Sequence, residues 1–384
     1  MQITNRTIST ILKHDSKQTS YKIALLRAIN DVVLSFPDVR NFDLDVAVPL
    51  HLLAQFWLAY YWPFVDPVQP IMQGPRTERD GKRRSDMAFR DELTAFRKLW
   101  EEQWGGISSP SAGFFVMNDL RVHRTRVSYS NDLLSAYDTT LARIARTIEM
   151  PIRYAGPGEW TVFEKPVHFK SLSGVIGIPG TQPNDLCLVV KAELWRAFRD
   201  LSLWVEALCI HEWCLFTERV TQPEETKIDR GIIYYLLTAR PDNRRPLTWE
   251  RNNIDILLME GLEFVCPWTE RPIHQGTAYD LDHLVPIAIY PINELWNLVP
   301  ADPDFNSHVK RDRLPSPDHL DRALPHLVQA YTHYTSIRPL SEALHDDCDT
   351  RFAHLQTADF PLAVAHATSD FIRSIIDTRN VAQF

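Results

Sequence analysis

Between Tyr279 and Pro315 the chain reads YDLDHLVPIAIYPINELWNLVPADPDFNSHVKRDRLP, a stretch dense in side chains that could act on a phosphodiester. An acidic residue stands beside a histidine, Asp282-His283. An asparagine follows a tryptophan, Trp296-Asn297. A second asparagine, Asn306, comes just before Lys310, Arg311 and Arg313. Hydrolysing a phosphodiester requires an activated water, and positive charge where the leaving oxygen becomes negative. A neutral imidazole, titrating near pH ~6.5, can take the proton from water, and His283 is the candidate base. Mg²⁺ (or Mn²⁺) prefers oxygen ligands and usually keeps several waters, so two protein oxygens suffice. Asp282 and the side-chain carbonyl of Asn306 are the candidate metal ligands. The Asn297 amide can donate to one backbone group and accept from another, which suits pinning the loop that holds His283. Lys310, Arg311 and Arg313 are the candidate phosphate contacts.

The elements that must position these groups follow from local pattern. Residues 279–285 alternate and end at Pro286, which predicts a short strand. Asp282 and His283 are neighbours, and neighbouring strand side chains point to opposite faces, so both can serve one substrate only near a twist or the strand's end. Pro286 and Pro291 predict a loop over 286–294. Leu295–Val299 is a second apolar run, stopped by Pro300. Asp302, Pro303 and Asp304 are turn residues. Asn306 or Ser307 can then cap a short helix that ends before Pro315.

This strand–loop–strand–turn–helix order, with LDHLVP at 281–286, WNLVPA at 296–301, and Asn306 followed by Lys310 and RLPS, resembles the HNH endonuclease family. Its ββα-metal motif is a two-stranded hairpin followed by a helix, and the DH-type branch is the nearer likeness. The resemblance covers about residues 264–316. It implies His283 as general base, Asp282 as one metal ligand, Asn297 as the orienter of the loop and Asn306 as the second ligand. His308 could replace Asn306 under a shifted alignment, but an NxxK-like spacing favours Asn306. Many relatives hold a structural zinc between two Cys-x-x-Cys knuckles. Here Cys266 is alone, residue 269 is Thr269, and the later pair is replaced by Asp302-Pro303-Asp304-Phe305. A zinc needs about four ligands, so no structural zinc is expected.

At 384 residues, 45% apolar and 11% aromatic, the chain can bury a large core and hold two or three domains. The formal net charge of −8 argues against a protein that coats nucleic acid non-specifically, yet leaves room for local basic patches. Five cysteines, at 187, 209, 214, 266 and 348, form no CxxC pair. That suits free thiols in a reducing, cytoplasmic setting. No signal peptide is apparent. The aromatic run Phe56–Phe64 is too short for a membrane span, so no membrane association is expected.

The remaining chain reads as mainly helical: a mainly α protein with the small α+β module embedded near its C-terminal third. Helices are expected over 20–36, 49–62, 86–104 (Phe89, Leu93, Phe96, Trp100 and Trp104 forming one core stripe), 131–148, 232–239 and 248–261, with a strand or loop passing into a long helix over 188–220. Short β runs are expected at 160–163 and 174–178. A charged stretch over 76–90, with Arg76, Arg79, Lys82, Arg83, Arg84 and Arg90, reads as a solvated loop or a phosphate-gripping arm. Arg244, Arg245 and Arg251 read as groove-lining or solvated. His211-Glu212 lacks the second histidine of HExxH, because position 215 is Leu215, so a core or capping histidine is the reading. No nucleotide-binding glycine loop is present. Three helices, over 324–334, 340–355 and 361–381, should close the chain. Expected domains are an N-terminal helical one (1–107), a middle, mostly helical region with some β (108–247), the nuclease module (248–320) and C-terminal helices packing on it (321–384).

The expected function is hydrolysis of DNA phosphodiester bonds. A homodimer or a partner protein of a bacterial defence or restriction system is the setting the resemblance suggests. An assembly subunit with a silent site, or an RNA-cleaving enzyme, are the alternatives.

Overall fold

The structure, a computed structural model, describes residues 2–37, 39, 43–74, 78, 79, 82, 83, 86–106, 108–221, 228–239, 247–290, 293–352, 355, 357–379 and 381–384, with residues 2–5, 78, 79, 82, 83, 123 and 124 described in backbone only. Helices make up 61% of the chain, so the expected mainly α fold with small sheets holds. The strands in chain order are β1 (Asp45–Pro49), β2 (Glu78–Arg79), β3 (Lys82–Arg83), β4 (Val167–His168), β5 (Val175–Gly177), β6 (Leu186–Val190), β7 (Phe264–Val265), β8 (Pro272–Ile273), β9 (Asp280–His283) and β10 (Leu298–Ala301). The chain divides into two compact units: residues 1–117 with 126–242, and residues 118–125 with 243–384.

In the first unit a four-stranded sheet has the order β4-β6-β1-β5, with β1 antiparallel to β6 and parallel to β5. β1 was not anticipated: the sequence set only a helix over 49–62 here, and its first residue, Pro49, is the last of the strand. Its burial comes from pairing with β6 and β5, segments more than a hundred residues away. Asp45 opens β1 and also accepts from Ala192 N–H at 2.9 Å, capping the helix Ala192–Asp200. The expected run at 160–163 is a turn, not a strand. The helices Tyr21–Ser35 and Leu50–Tyr61 fall where apolar spacing put them. The helix from Asn131 runs past its expected end to Tyr154, with Pro151 inside it. A cluster of rings forms the core, with Tyr61 centred 5.1 Å from Phe89 and 5.2 Å from Trp213. Phe89, Leu93, Phe96 and Trp100 are buried as expected, but Trp104 is half exposed and stacks on Trp100 instead. His211 is exposed on the helix Ser202–Val220, so it is neither core nor cap.

Of the charged stretch 76–90, Arg90 turns inward: it pairs with Asp86 and donates to the carbonyls of Phe64 and Ile71. Arg76 and Arg84 lie outside the described residues, as do the side chains of Arg79, Lys82 and Arg83; Arg244 and Arg245 also lie outside them.

In the second unit one continuous core runs from the helix Thr248–Met259 through β7–β10 into the helices Pro317–Ser336, Arg338–Arg351 and Phe360–Arg379. The first of these three starts earlier than Leu324, because Pro317 supplies a favourable first turn. These helices brace the hairpin through polar anchors as well as apolar packing. Tyr331 and Tyr334 donate their hydroxyls to the carbonyls of Trp296 and Leu298 at 2.6 and 2.8 Å. The chain's last residues also lie against the module: Phe384 exchanges backbone bonds with Leu314 and Ser316, and its ring packs on Trp268 at 5.4 Å. Among the described residues no helix is long and apolar enough to cross a membrane.

Candidate active site

β9 and β10 pair antiparallel, with His283 opposite Leu298, Asp282 opposite Val299 and Asp280 opposite Ala301. The second strand does not stop at Pro300 but continues through it to Ala301. This sheet has two strands, so the donor that proline lacks can fall on an edge, where no ladder bond is lost. Ahead of β10, Leu295–Asn297 forms a 3-10 turn rather than strand. After it, Phe305–Lys310 is a single π-helical turn, closed by Arg311 N–H to Asn306 O at 2.9 Å. Three residues separate Asn306 from Lys310, one more than an NxxK spacing, and the wider π turn takes up the extra residue.

Asn297 is fully buried. Its Oδ1 accepts from Val285 N–H at 2.8 Å and its Nδ2 donates to Val285 O at 3.2 Å. Leu284 N–H adds a bond to Asn297 O at 2.8 Å. Asn297 thus clamps the two residues that follow His283, Val285 through its side-chain amide and Leu284 through its backbone carbonyl.

His283 is the last residue of β9 and is half-buried. Its Nε2 lies 2.9 Å from Asn293 Oδ1. An amide oxygen only accepts, so Nε2 carries the hydrogen and the lone pair of the neutral ring sits on Nδ1. Burial lowers the pKa of His283 below the ordinary histidine value. The Asn293 bond and the charges of Asp282 and Glu250 act against that, and the charge of Lys310 adds to it.

Asp282 is buried, with both oxygens engaged: Oδ1 receives Lys310 Nζ at 2.8 Å and Oδ2 receives Trp268 Nε1 at 3.0 Å. Lys310 also donates to His283 O at 2.7 Å and is as buried as its partner. Two residues before Asp282, and so on the same face of β9, Asp280 Oδ2 accepts from Asn306 Nδ2 at 3.0 Å. That bond spends the Asn306 nitrogen and leaves its carbonyl oxygen as the group it can offer a cation. Asp282, Asn306 and Asp280 are hard oxygen donors that suit Mg²⁺ or Mn²⁺. Among the described residues no group of three or more His, Cys, Asp or Glu side chains is arranged to hold a metal, so waters would complete the coordination.

Arg311 and Arg313 do not enter this cluster. Arg311 is exposed and has φ 52°, while Arg313 bonds back to Val309 O. His308 is exposed, with Nδ1 3.1 Å from Asp304 O. Arg251 lies over the Tyr279 ring at 4.8 Å and donates to Tyr279 O at 3.2 Å.

The corner where relatives carry their knuckles is held by polar contacts. Asp302 N–H lies 3.2 Å from Cys266 Sγ, and Asp302 Oδ2 pairs with Arg271 at 2.6 Å. Asp302 Oδ1 caps the turn through Asp304 and Phe305 N–H. The sequence did not single out Asp280, Asn293 or Trp268, whereas Asp302, expected as a turn residue, caps that turn. The two-residue spacing of Asp280 from Asp282 could have flagged the first. Asn293 and Trp268 reach the site by folding from loops that carry no motif.

Residues 266–316 match the family model described as HNH endonuclease, and with the hairpin and helical turn they form an HNH endonuclease domain. Residues 2–237, more than half of the sequence, match the model described as a domain of unknown function, DUF8808, and the chain belongs to that family. No curated protein and no solved structure matches it.

Proposed function

We propose that the chain is a divalent-metal-dependent endonuclease that hydrolyses DNA, with His283 as its general base. The observation that carries this reading is the state of His283. It sits at the end of β9, clamped from behind by Asn297. Asn293 fixes its tautomer, and its pKa is lowered, so that Nδ1 is free to take a proton from water at neutral pH. Asp282 and Asn306 are the proposed metal ligands, with Asp280 orienting Asn306. When bound, Mg²⁺ or Mn²⁺ would supply positive charge for the phosphate and the leaving oxygen. Arg311, exposed beside the helical turn, and Arg313 are the proposed contacts to flanking phosphates. Lys310 was expected among them, but its ammonium is committed to Asp282.

One base per chain cuts one strand. Cutting both strands calls for two copies or a partner, and the defence or restriction setting is proposed on the family likeness alone. Supercoiled plasmid incubated with Mg²⁺ or Mn²⁺ should become nicked by the native chain and stay intact with EDTA or with His283→Ala. Equal activity in both proteins, or none in either, would favour an assembly subunit with a silent site. Matched DNA and RNA duplexes separate the two substrates, because contacts to the backbone alone leave the sugar open.

A further inference from the structure

The two functional cations of this site, one built in and one to be bound, want the same oxygen. Lys310 Nζ lies 2.8 Å from Asp282 Oδ1, the side chains are 1% and 5% exposed, and Trp268 holds the other oxygen. A dication placed on Asp282 beside that ammonium meets strong like-charge repulsion, with little water to screen it. We propose that Lys310 is the resting counter-ion of Asp282, and that a divalent ion gains Asp282 only by displacing the Lys310 ammonium. The inference rests on the nuclease reading above and adds to it how the metal site opens.

The segment that carries Lys310 is suited to such a movement. Lys310 ends the π-helical turn Phe305–Lys310, and the next residue, Arg311, is a non-glycine held at φ 52°. Both are uncommon backbone states, of the kind found where a side chain is re-aimed. The other end of the same turn carries Asn306, the second proposed ligand. Metal binding and lysine release therefore act on one six-residue element. Lys310 also holds His283 O at 2.7 Å, so its release frees the backbone of the proposed base at the same moment.

The native full-length chain can be tested directly. Amine acylation by acetic anhydride, read by peptide mass spectrometry, should leave Lys310 protected in EDTA and expose it when Mg²⁺ is added, while the exposed Lys98 reacts equally in both. Mn²⁺ binding by calorimetry should tighten on the order of tenfold or more in Lys310→Gln, which can still donate to His283 O, and stay near the native value in Lys310→Arg. If Lys310→Gln does not fold, the acylation result decides alone. Protection of Lys310 unchanged by Mg²⁺ overturns the proposal, as does equal Mn²⁺ affinity in the native chain and Lys310→Gln. In either case cleavage that still requires the metal leaves the nuclease reading standing. Mn²⁺ binding in neither protein, with cleavage surviving EDTA, removes the metal reading and this inference together.

Discussion

Successive residues of β9 send their side chains to opposite faces, and the two faces are finished in different ways. On one face Asp280 and Asp282 meet Asn306, Lys310 and Trp268, so every buried charge has an opposite charge or a donor against it. On the other face His283 has the neutral amide of Asn293. The difference follows from what each group costs when it leaves water. A buried carboxylate stays ionised only with compensation, whereas an imidazole can shed its proton and be buried neutral. The acidic face is therefore locked by charge and the basic face by shape and one hydrogen bond. The two faces can serve one substrate because His283 is the last residue of β9, where the alternation of the strand ends.

Removing one residue from each face gives the strongest contrast. His283→Ala and Asp282→Ala should both lower cleavage, by roughly 10²-fold or more for loss of a general base. Only Asp282→Ala should also damage the fold, because it leaves the Lys310 ammonium buried without its carboxylate, at a cost of about 3–5 kcal/mol. His283→Ala should unfold in urea within about 1 kcal/mol of the native chain. Equal stability of the two variants would break the comparison. Asn297 holds the two residues that follow β9. Asn297→Ala removes a buried amide that bonds twice to Val285, at about 1–3 kcal/mol for each group left unpaired. Its stability and its cleavage should fall together.

How much of this could be read from the sequence differs between the two units for a physical reason. In the HNH domain, prolines, short apolar runs and the DH pair act over a few residues, so the hairpin could be placed from sequence, although β10 begins three residues later than expected and runs through Pro300. The residues that complete the site could not. Trp268 comes from a turn before β8, and Asn293 from the loop between β9 and β10. The lock on Asp282 exists only because a π turn aims Lys310 inward, and its spacing alone suggested a phosphate contact. In the first unit the helices could be read from apolar periodicity. β1 could not, because its strand character depends on β5 and β6 far along the chain.

Rate profiles sharpen the basic face. Burial is the main reason His283 holds its proton less tightly than a free histidine. Cleavage should therefore stay at full rate as pH falls through ~6.5 and decline only below it. The stability sign is fixed by the same shift. Just below pH ~6.5 the unfolded chain binds a proton that the native chain does not, so stability from this group is present above ~6.5 and is lost on acidification. Asn293→Ala removes a bond that favours the charged ring, and should move the acidic limb further down. A limb at or above the free histidine value would refute the lowered pKa.

The smallest expected effect tests whether charge compensation matters as much at the rim as beneath it. Arg271 pairs with Asp302 at 2.6 Å, but its side chain is 70% exposed, whereas Lys310 is 1% exposed. Exposed pairs are screened and contribute about 0–1 kcal/mol, so Arg271→Ala should destabilise by less than that. Asp302→Ala should cost more, because Asp302 also accepts from Asp304 and Phe305 N–H and so holds the entry to the π turn. Burial alone would raise the Asp302 carboxyl, but the Arg271 bond and the two backbone donors hold it below the usual carboxylate range. Its contribution is then present above pH ~3.9 and is lost as pH falls through the lowered native value. Arg271→Ala should weaken that acid resistance without abolishing it, since the backbone donors remain. Acid unfolding curves of the native chain, Arg271→Ala and Asp302→Ala should fall in that order of resistance. A loss in Arg271→Ala as large as in Asp302→Ala would mean that the exposed cation, and not the capped turn, holds this corner together.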